Sequence, residues 1–237
     1  MTVQDQSKST SWQMFNRIAK TYDPVNRMLS FGLDTRWRKK VGNLLPAKEA
    51  IQILDLATGT ADQVLSLCKQ YPQKIQSAVG MDLSEGMLDI GRQKVRDRKM
   101  EQIISLQQGD ACALPLEDNS FDAVTISFGI RNVPDVPKAL REMHRILQPN
   151  GKALILEFAI PRNPVVRFGH LFYLRNVLPT VGGLVSGDKP AYRYLNTTIE
   201  SFPYGDAFAG LMKDAGFQTV RVHSLTFGIA NLYEGIR

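Results

Sequence analysis

The sequence predicts an α/β fold on a seven-stranded, mostly parallel sheet that ends in an antiparallel hairpin, with helices on both faces. Three observations carry that expectation. From residue 51 onward, short β-rich runs alternate with helical patterns, the spacing of strand, crossover and parallel strand. The last two β-rich runs, 217–223 and 225–234, meet at Ser224 too tightly for a crossover, so an antiparallel pairing is expected. The 237 residues are 43% hydrophobic and 22% charged, which is enough apolar material for one sizeable core.

Taken in order, residues 11–45 place Trp12, Phe15, Ile18, Ala19 and Tyr22 at helical spacing. Pro24 is expected to interrupt that helix before a second one near 37–45. Strands follow at 51–57, 75–82, 103–108, 121–127 and 152–158, with helices near 61–70, 84–98 and 137–147 between them. Ser84 reads as a cap with Met87 and Leu88 in the first apolar turn, and Asn150-Gly151 as a turn after the third of these helices. Residues 161–205, rich in aromatics, Pro and Gly, separate the fifth strand from the sixth and are expected to cover a site at the strand ends. The expected organisation is one domain, 1–237, with a helical cover (1–48), a ligand-binding core (49–160), an insertion (161–205) and a C-terminal helix and hairpin (206–237).

Glu157 and Arg175 break the longest apolar stretches, so none reaches the roughly 18 residues of a spanning helix. The polar first thirty residues do not resemble a signal peptide, and Cys68 and Cys112 are two lone thiols; a cytoplasmic compartment is expected. The charge is uneven. Residues 1–48 hold nine Lys and Arg against Asp5, Asp23 and Asp34, while the remainder balances at twenty against twenty. That excess fits a solvated helical face, a surface for anionic lipid, or one for nucleic acid.

The most informative stretch is 51–62, IQILDLATGTAD, an apolar strand that ends in an acid and passes through a small-residue turn into a helix. Ligands of open α/β sheets sit at the carboxyl ends of the strands. Gly59 stands alone where a pyrophosphate site needs three glycines. A strand acid, Asp55, with one close-approach glycine instead suits a zwitterion: the carboxylate meets its ammonium, while backbone N–H groups or the Thr60 hydroxyl meet its carboxylate. Asp82, twenty-three residues after Gly59, ends the second strand and can accept from both hydroxyls of a ribose. Asp110-Ala111 follows the third strand, where an acid can meet the amine of adenine, and Ser127 ends the fourth.

Taken together, these motifs closely resemble the class I S-adenosylmethionine-dependent methyltransferases, and among them the ubiquinone/menaquinone biosynthesis C-methyltransferase family. The likeness rests on the run Tyr22, Asp23, Asn26, Leu29, Ser30, Gly32 and Trp37, on DLATGTAD, on ISFGIRNV at 126–133, on KALREMHRILQPNGKALILEF and on YRYL at 192–195. The resemblance implies a Rossmann-like fold, S-adenosylmethionine as cofactor, and cofactor contacts from Thr60, Asp82, Asp110, Ala111 and Ser127. The chain departs from the family pattern at Asp34, where His is usual, at Ala61, where glycine is common, and at Gln148 and Asn150. Asp34 removes any role borrowed from that His; the other changes are expected to keep the backbone geometry.

Methylating a ring carbon requires a phenolate, hence a base or a cation beside the hydroxyl. Arg131 and Asn132, just after the fourth strand, are the expected catalytic pair; the alternative for Arg131 is a structural pairing with Asp135 or Asp23. Tyr22, Asn26 and Asp34 from the cover, and Tyr192 and Tyr194 from the insertion, are expected to line the acceptor pocket. His144, His170 and His223 carry no motif, and no metal site is expected. The resemblance implies a prenylated quinol as substrate, with contact to an anionic membrane surface and a homodimer as further expectations. Nucleic acid is not expected as a partner, and methylation of another small molecule or of RNA is the alternative function.

Overall fold

The computed structural model describes Lys8 and residues 10–237. Two helices come first, α1 (Ser11–Leu29) and α2 (Leu33–Gly42). The alternating region then gives β1 (Ile51–Leu56), α3 (Asp62–Gln70), β2 (Ile75–Asp82), α4 (Glu85–Asp97), β3 (Ile104–Gln108), β4 (Phe121–Ser127), α5 (Val136–Ile146) and β5 (Leu147–Phe158). The insertion is helical: α6 (Pro164–Phe172), a π-helical turn (Tyr173–Val177), α7 (Leu178–Ser186) and α8 (Lys189–Ser201). Helix α9 (Asp206–Asp214) and the strands β6 (Thr219–Leu225) and β7 (Ala230–Ile236) close the chain.

The strands form one sheet in the order β3-β2-β1-β4-β5-β7-β6. The first five are parallel, and β7 runs antiparallel to both β5 and β6. After β3 the chain returns to the other side of β1, so the crossovers beside β1 and β4 part and leave a crevice at the strand ends. One face of the sheet packs on α5 and α9 through Leu140, Met143, Phe208 and Met212. The other packs on α2, α3 and α4 through Trp37, Val41, Val64, Leu67 and Val95. A third apolar cluster joins Ile18 and Val25 of α1 to Leu174, Leu178, Tyr192 and Ile199 of the insertion, so the two excursions from the alternation form one helical cover. Among the described residues no helix is long and apolar enough to cross a membrane.

Four local expectations are corrected. Pro24 lies inside α1 and does not end it. A proline forfeits a helical hydrogen bond, but burial of Ile18, Ala19 and Val25 and the bonds of Asp23 to Lys94 and Thr60 hold the helix across it. The last hairpin turns over Thr226–Gly228, beyond Ser224, because Leu225 pairs with Ala230. No Asn-Gly or Asp-Gly is present there to close a two-residue turn. Asn150-Gly151 belongs to a bulge: Phe121 pairs with Leu147 but Ala123 with Lys152, so 148–151 are looped out within β5. Finally, Ala61 adopts φ 67 and Asn150 φ 64. Left-handed backbone costs a β-carbon residue roughly 1–2 kcal/mol, which Asn tolerates better than Ala, so Ala61 is not neutral to the backbone.

Candidate active site

The turn from β1 into α3 holds Ala57, Gly59 and Ala61 at φ 45, 56 and 67. A β-carbon on Gly59 would meet nothing within 4 Å, so its backbone lies open to a ligand. Asp55, buried at the end of β1, accepts from Thr58 Oγ1 at 2.7 Å and Thr125 Oγ1 at 2.5 Å. Burial pushes its carboxyl up to about 6, against the pull of the two hydroxyls. Asp82 accepts the Gly59 N–H and the Ser84 N–H, each at 2.8 Å. Burial raises this carboxyl as well, against those backbone donors. Each oxygen keeps a lone pair for a further donor. Asp110 is exposed, with Oδ1 accepting the Cys112 N–H at 2.8 Å.

Three cavities meet here. A crevice of about 100 Å³ is lined by Gly59, Asp82, Asp110, Ala111, Ser127 and Asn132, with Trp12 and Phe15 of α1 across from them. A polar cavity of about 30 Å³ lies between Asp23, Asn26, Asp34, Asp55, Thr60 and Gln63. An apolar chamber of about 330 Å³ lies under the cover, with Leu29, Trp37, Phe158, Leu174, Leu195 and Ile199 among its walls and Arg131, Asp34 and His170 as polar points. Tyr22 lines all three. Burial raises its phenol above the ordinary range, with Arg131 and Arg38 opposing, so the hydroxyl keeps its proton.

Arg131 is buried and pairs with neither acid considered from the sequence. Its Nη1 donates to Glu157 Oε1 at 2.7 Å and to the Phe128 carbonyl at 2.6 Å, and its Nε has no partner. Asp135 instead caps α5, and Asp23 pairs with Lys94. Burial pushes the Glu157 carboxyl up while Arg131 pulls it down. Asn132 lines the crevice and not the chamber, so the two adjacent residues face different cavities. Tyr192 and Tyr194 line none of the three. The Tyr192 ring fills the space where a side chain on Gly182 would stand, 2.5 Å from that β-carbon position, and so joins α8 to α7. Ser127 donates to Gln63 Oε1 at 2.9 Å, and Asp34 accepts from Ser30 and Arg27, both at 2.7 Å.

Several site residues escaped the sequence analysis. Lys94 reaches Asp23 (2.5 Å), Asp62 (2.7 Å) and Thr60 Oγ1 (3.0 Å), and Thr60 donates to Asp23 at 2.6 Å. Against burial, the charge of Lys94 holds the Asp62 carboxyl below its ordinary range. Asn16 Oδ1 accepts from Ser84 Oγ at 2.6 Å and the Gly86 N–H at 2.9 Å, fastening α1 over the start of α4. Glu157 did leave a signal, a lone acid in an apolar strand. Lys94 and Asn16 left none, since helical charges are ordinary.

The crevice fits the cofactor of the resemblance: a carboxylate with spare lone pairs ends β2, open backbone stands at Gly59, and an acid-rich cavity adjoins them. A β7 set antiparallel between β5 and β6, above such a crevice, defines a class I S-adenosylmethionine-dependent methyltransferase. Solved structures share the fold. One is a putative S-adenosylmethionine-dependent methyltransferase from Methanococcus maripaludis (TM-score 0.65, 20% identity, 92% of this chain and 90% of that one). Another is a possible histamine N-methyltransferase from Thermotoga maritima (TM-score 0.66, 20% identity, 95% and 98%). The chain belongs to the ubiE/COQ5 methyltransferase family, whose model matches residues 1–237. Its relatives include a ubiquinone/menaquinone biosynthesis C-methyltransferase of Geobacter sp. strain M21, 44% identical over 94% of each chain. A demethylmenaquinone methyltransferase of Thermus thermophilus is 45% identical over 94% of this chain and 100% of its own.

Proposed function

We propose that this enzyme transfers a methyl group from S-adenosylmethionine to a ring carbon of a prenylated quinol, in menaquinone biosynthesis, ubiquinone biosynthesis or both. The observation that carries the reading is the meeting, at Tyr22, of a crevice edged by strand-end acids and a larger apolar chamber. When bound, the cofactor supplies a methyl already electrophilic on a sulfonium. Asp82 would accept from the ribose hydroxyls, Asp110 and Ala111 would meet adenine, and Ser127 would close the crevice. Asp55 and the Gly59 carbonyl would meet the ammonium of the methionine end, beside a turn whose Gly59 N–H and Thr60 hydroxyl proton are given to Asp82 and Asp23.

In the chamber, apolar walls would take the prenyl tail, and the ring would lie at the polar end between Tyr22, Asn26, Asp34 and Arg131. Arg131 keeps donors beyond those given to Glu157 and Phe128, and would stabilise the phenolate formed when a ring hydroxyl loses its proton. The ring carbon so activated would take the methyl that the cofactor supplies, and the proton on that carbon would pass to solvent as the ring regains its aromaticity. Asn132, on the cofactor side, would orient the reacting groups. The cover excludes water from this step.

A substrate tail of this kind resides in the bilayer, so a peripheral position on an anionic membrane belongs to the proposal, supported by the positive charge concentrated in residues 1–48. No feature of the described residues calls for a second copy of the chain, and a homodimer is not part of it. The test is turnover with labelled S-adenosylmethionine on short-tailed demethylated naphthoquinols and benzoquinols, with RNA as a further acceptor. Label in one or both quinols is expected, and which of them takes it assigns the pathway. Label in RNA alone would overturn the reading.

A further inference from the structure

The wall between the apolar chamber and solvent is one helix thick, and its outer side is apolar too. On α6, Val166, Gly169 and His170 line the chamber. Val165, Phe168 and Phe172, at i, i+3 and i+7, share the outward face and are 81%, 76% and 57% exposed. Phe31 stands beside them. Its ring lies 6.1 Å from that of Tyr173, whose hydroxyl donates to the Leu29 carbonyl at 2.6 Å. Phe31 lines the chamber yet is 80% exposed, so it marks the chamber mouth. A helix facing water normally carries polar residues on that face.

Positive charge predominates beside this ridge. No acid lies in α6, and Arg167, between Val165 and Phe168, is exposed with no ion pair among the described residues. From 162 to 193 the sequence holds five Lys and Arg against Asp188, of which Arg162 and Arg175 pair with Asp206 and Glu200. We infer that α6 and Phe31 form the surface by which the enzyme sits on an anionic bilayer, apolar side chains among the acyl chains and Arg167 at the headgroups. The chamber mouth then opens toward lipid. A two-fold contact with a second copy would instead bring α6 cations toward their own symmetry mates with no acid on the helix to neutralise them. Lipid phosphates supply that anion. The inference rests on the quinol reading of the chamber and moves the principal contact from the charged N-terminal cover to an apolar ridge.

The test is co-sedimentation of the full chain with phosphatidylcholine vesicles, with and without phosphatidylglycerol, alongside turnover on short-tailed quinol in solution and long-tailed quinol in vesicles. Phe168→Asp with Phe172→Asp should weaken vesicle binding by about tenfold or more. The milder Phe168→Ser should weaken it in part, and Arg167→Glu should reduce the preference for phosphatidylglycerol several-fold. Short-tailed turnover should stay unchanged in all three, while long-tailed turnover falls. Vesicle binding by the double variant equal to that of the original chain would overturn the inference, as would a stable dimer in solution that Phe168→Asp dissociates. Loss of vesicle binding in these variants, in an enzyme that methylates no quinol, would uphold the surface and sink the quinol reading alone.

Discussion

On the proposed role, Asp55 would make cofactor affinity depend on pH, because burial pushes its carboxyl up to about 6, within reach of ordinary buffers. Below that value the group is neutral and loses its attraction for an ammonium; above it the charge is present. Affinity for S-adenosylmethionine, followed by calorimetry, should fall as pH drops through about 6, and Asp55→Asn should bind more weakly with that slope flattened. The stability of the cofactor-free protein should move oppositely. The folded carboxyl holds its proton to a higher pH than the unfolded one, so this group favours folding at low pH and loses that contribution as pH rises toward about 6. The difference in thermal stability between the original chain and Asp55→Asn should therefore change between about pH 4 and 6, and a difference constant across that range would mean that Asp55 is not the titrating group. Arg131 has a structural pairing and a proposed catalytic role to separate. Arg131→Ala strands Glu157 in the core and should cost roughly 3–5 kcal/mol of stability. Arg131→Met with Glu157→Gln should recover most of that loss in denaturation, while turnover stays down on the order of a hundredfold. A double variant that regains turnover would make Arg131 purely structural. Its place just after the fourth strand, within FGIRNV, pointed to Arg131; its partner could not be read, because Glu157 is 26 residues away and reaches it only through the adjacency of β4 and β5.

At the scale of elements, α1 acts as a latched cover. Asn16 ties its first half to Ser84 and Gly86, and Asp23 ties its second half to Lys94 and Thr60. The wall that α1 gives the crevice, Trp12, Phe15 and Tyr22, holds only while those ties hold. Asn16→Ala removes two hydrogen bonds and should weaken cofactor affinity about tenfold, chiefly through faster release in stopped-flow displacement. Unchanged release would mean that α1 does not gate the crevice. The sheet was legible because strand composition and alternation are local signals: β2 and β4 have the bounds expected from sequence. The cover was less so. Its helices are defined by one another, through Ile18 and Val25 against Leu174, Leu178 and Ile199, and no periodicity within either segment shows that pairing. Pro24 misled for the same reason, since tertiary packing outweighed its local cost.

For the whole molecule, two cavities of different origin meet. A crevice edged by strand-end acids follows from residues that the sequence displays openly, and an apolar chamber is assembled from two excursions far apart in the chain. The strand-end acids were therefore legible. Of the residues expected at the acceptor pocket, Tyr22, Asn26 and Asp34 line the chamber, whereas Tyr192 and Tyr194 lie away from its walls. Helical spacing gives a face to a residue but not the neighbour that the face meets. The central claim, transfer to carbon at the meeting point of the two cavities, has a direct test. A short-tailed quinol deuterated at the open ring carbon is supplied with S-adenosylmethionine, and the product is weighed by mass spectrometry. Methylation at carbon must expel that deuterium, so the predicted product gains a methyl group and carries no deuterium. A methylated product that keeps its deuterium would place the methyl on oxygen and contradict the account.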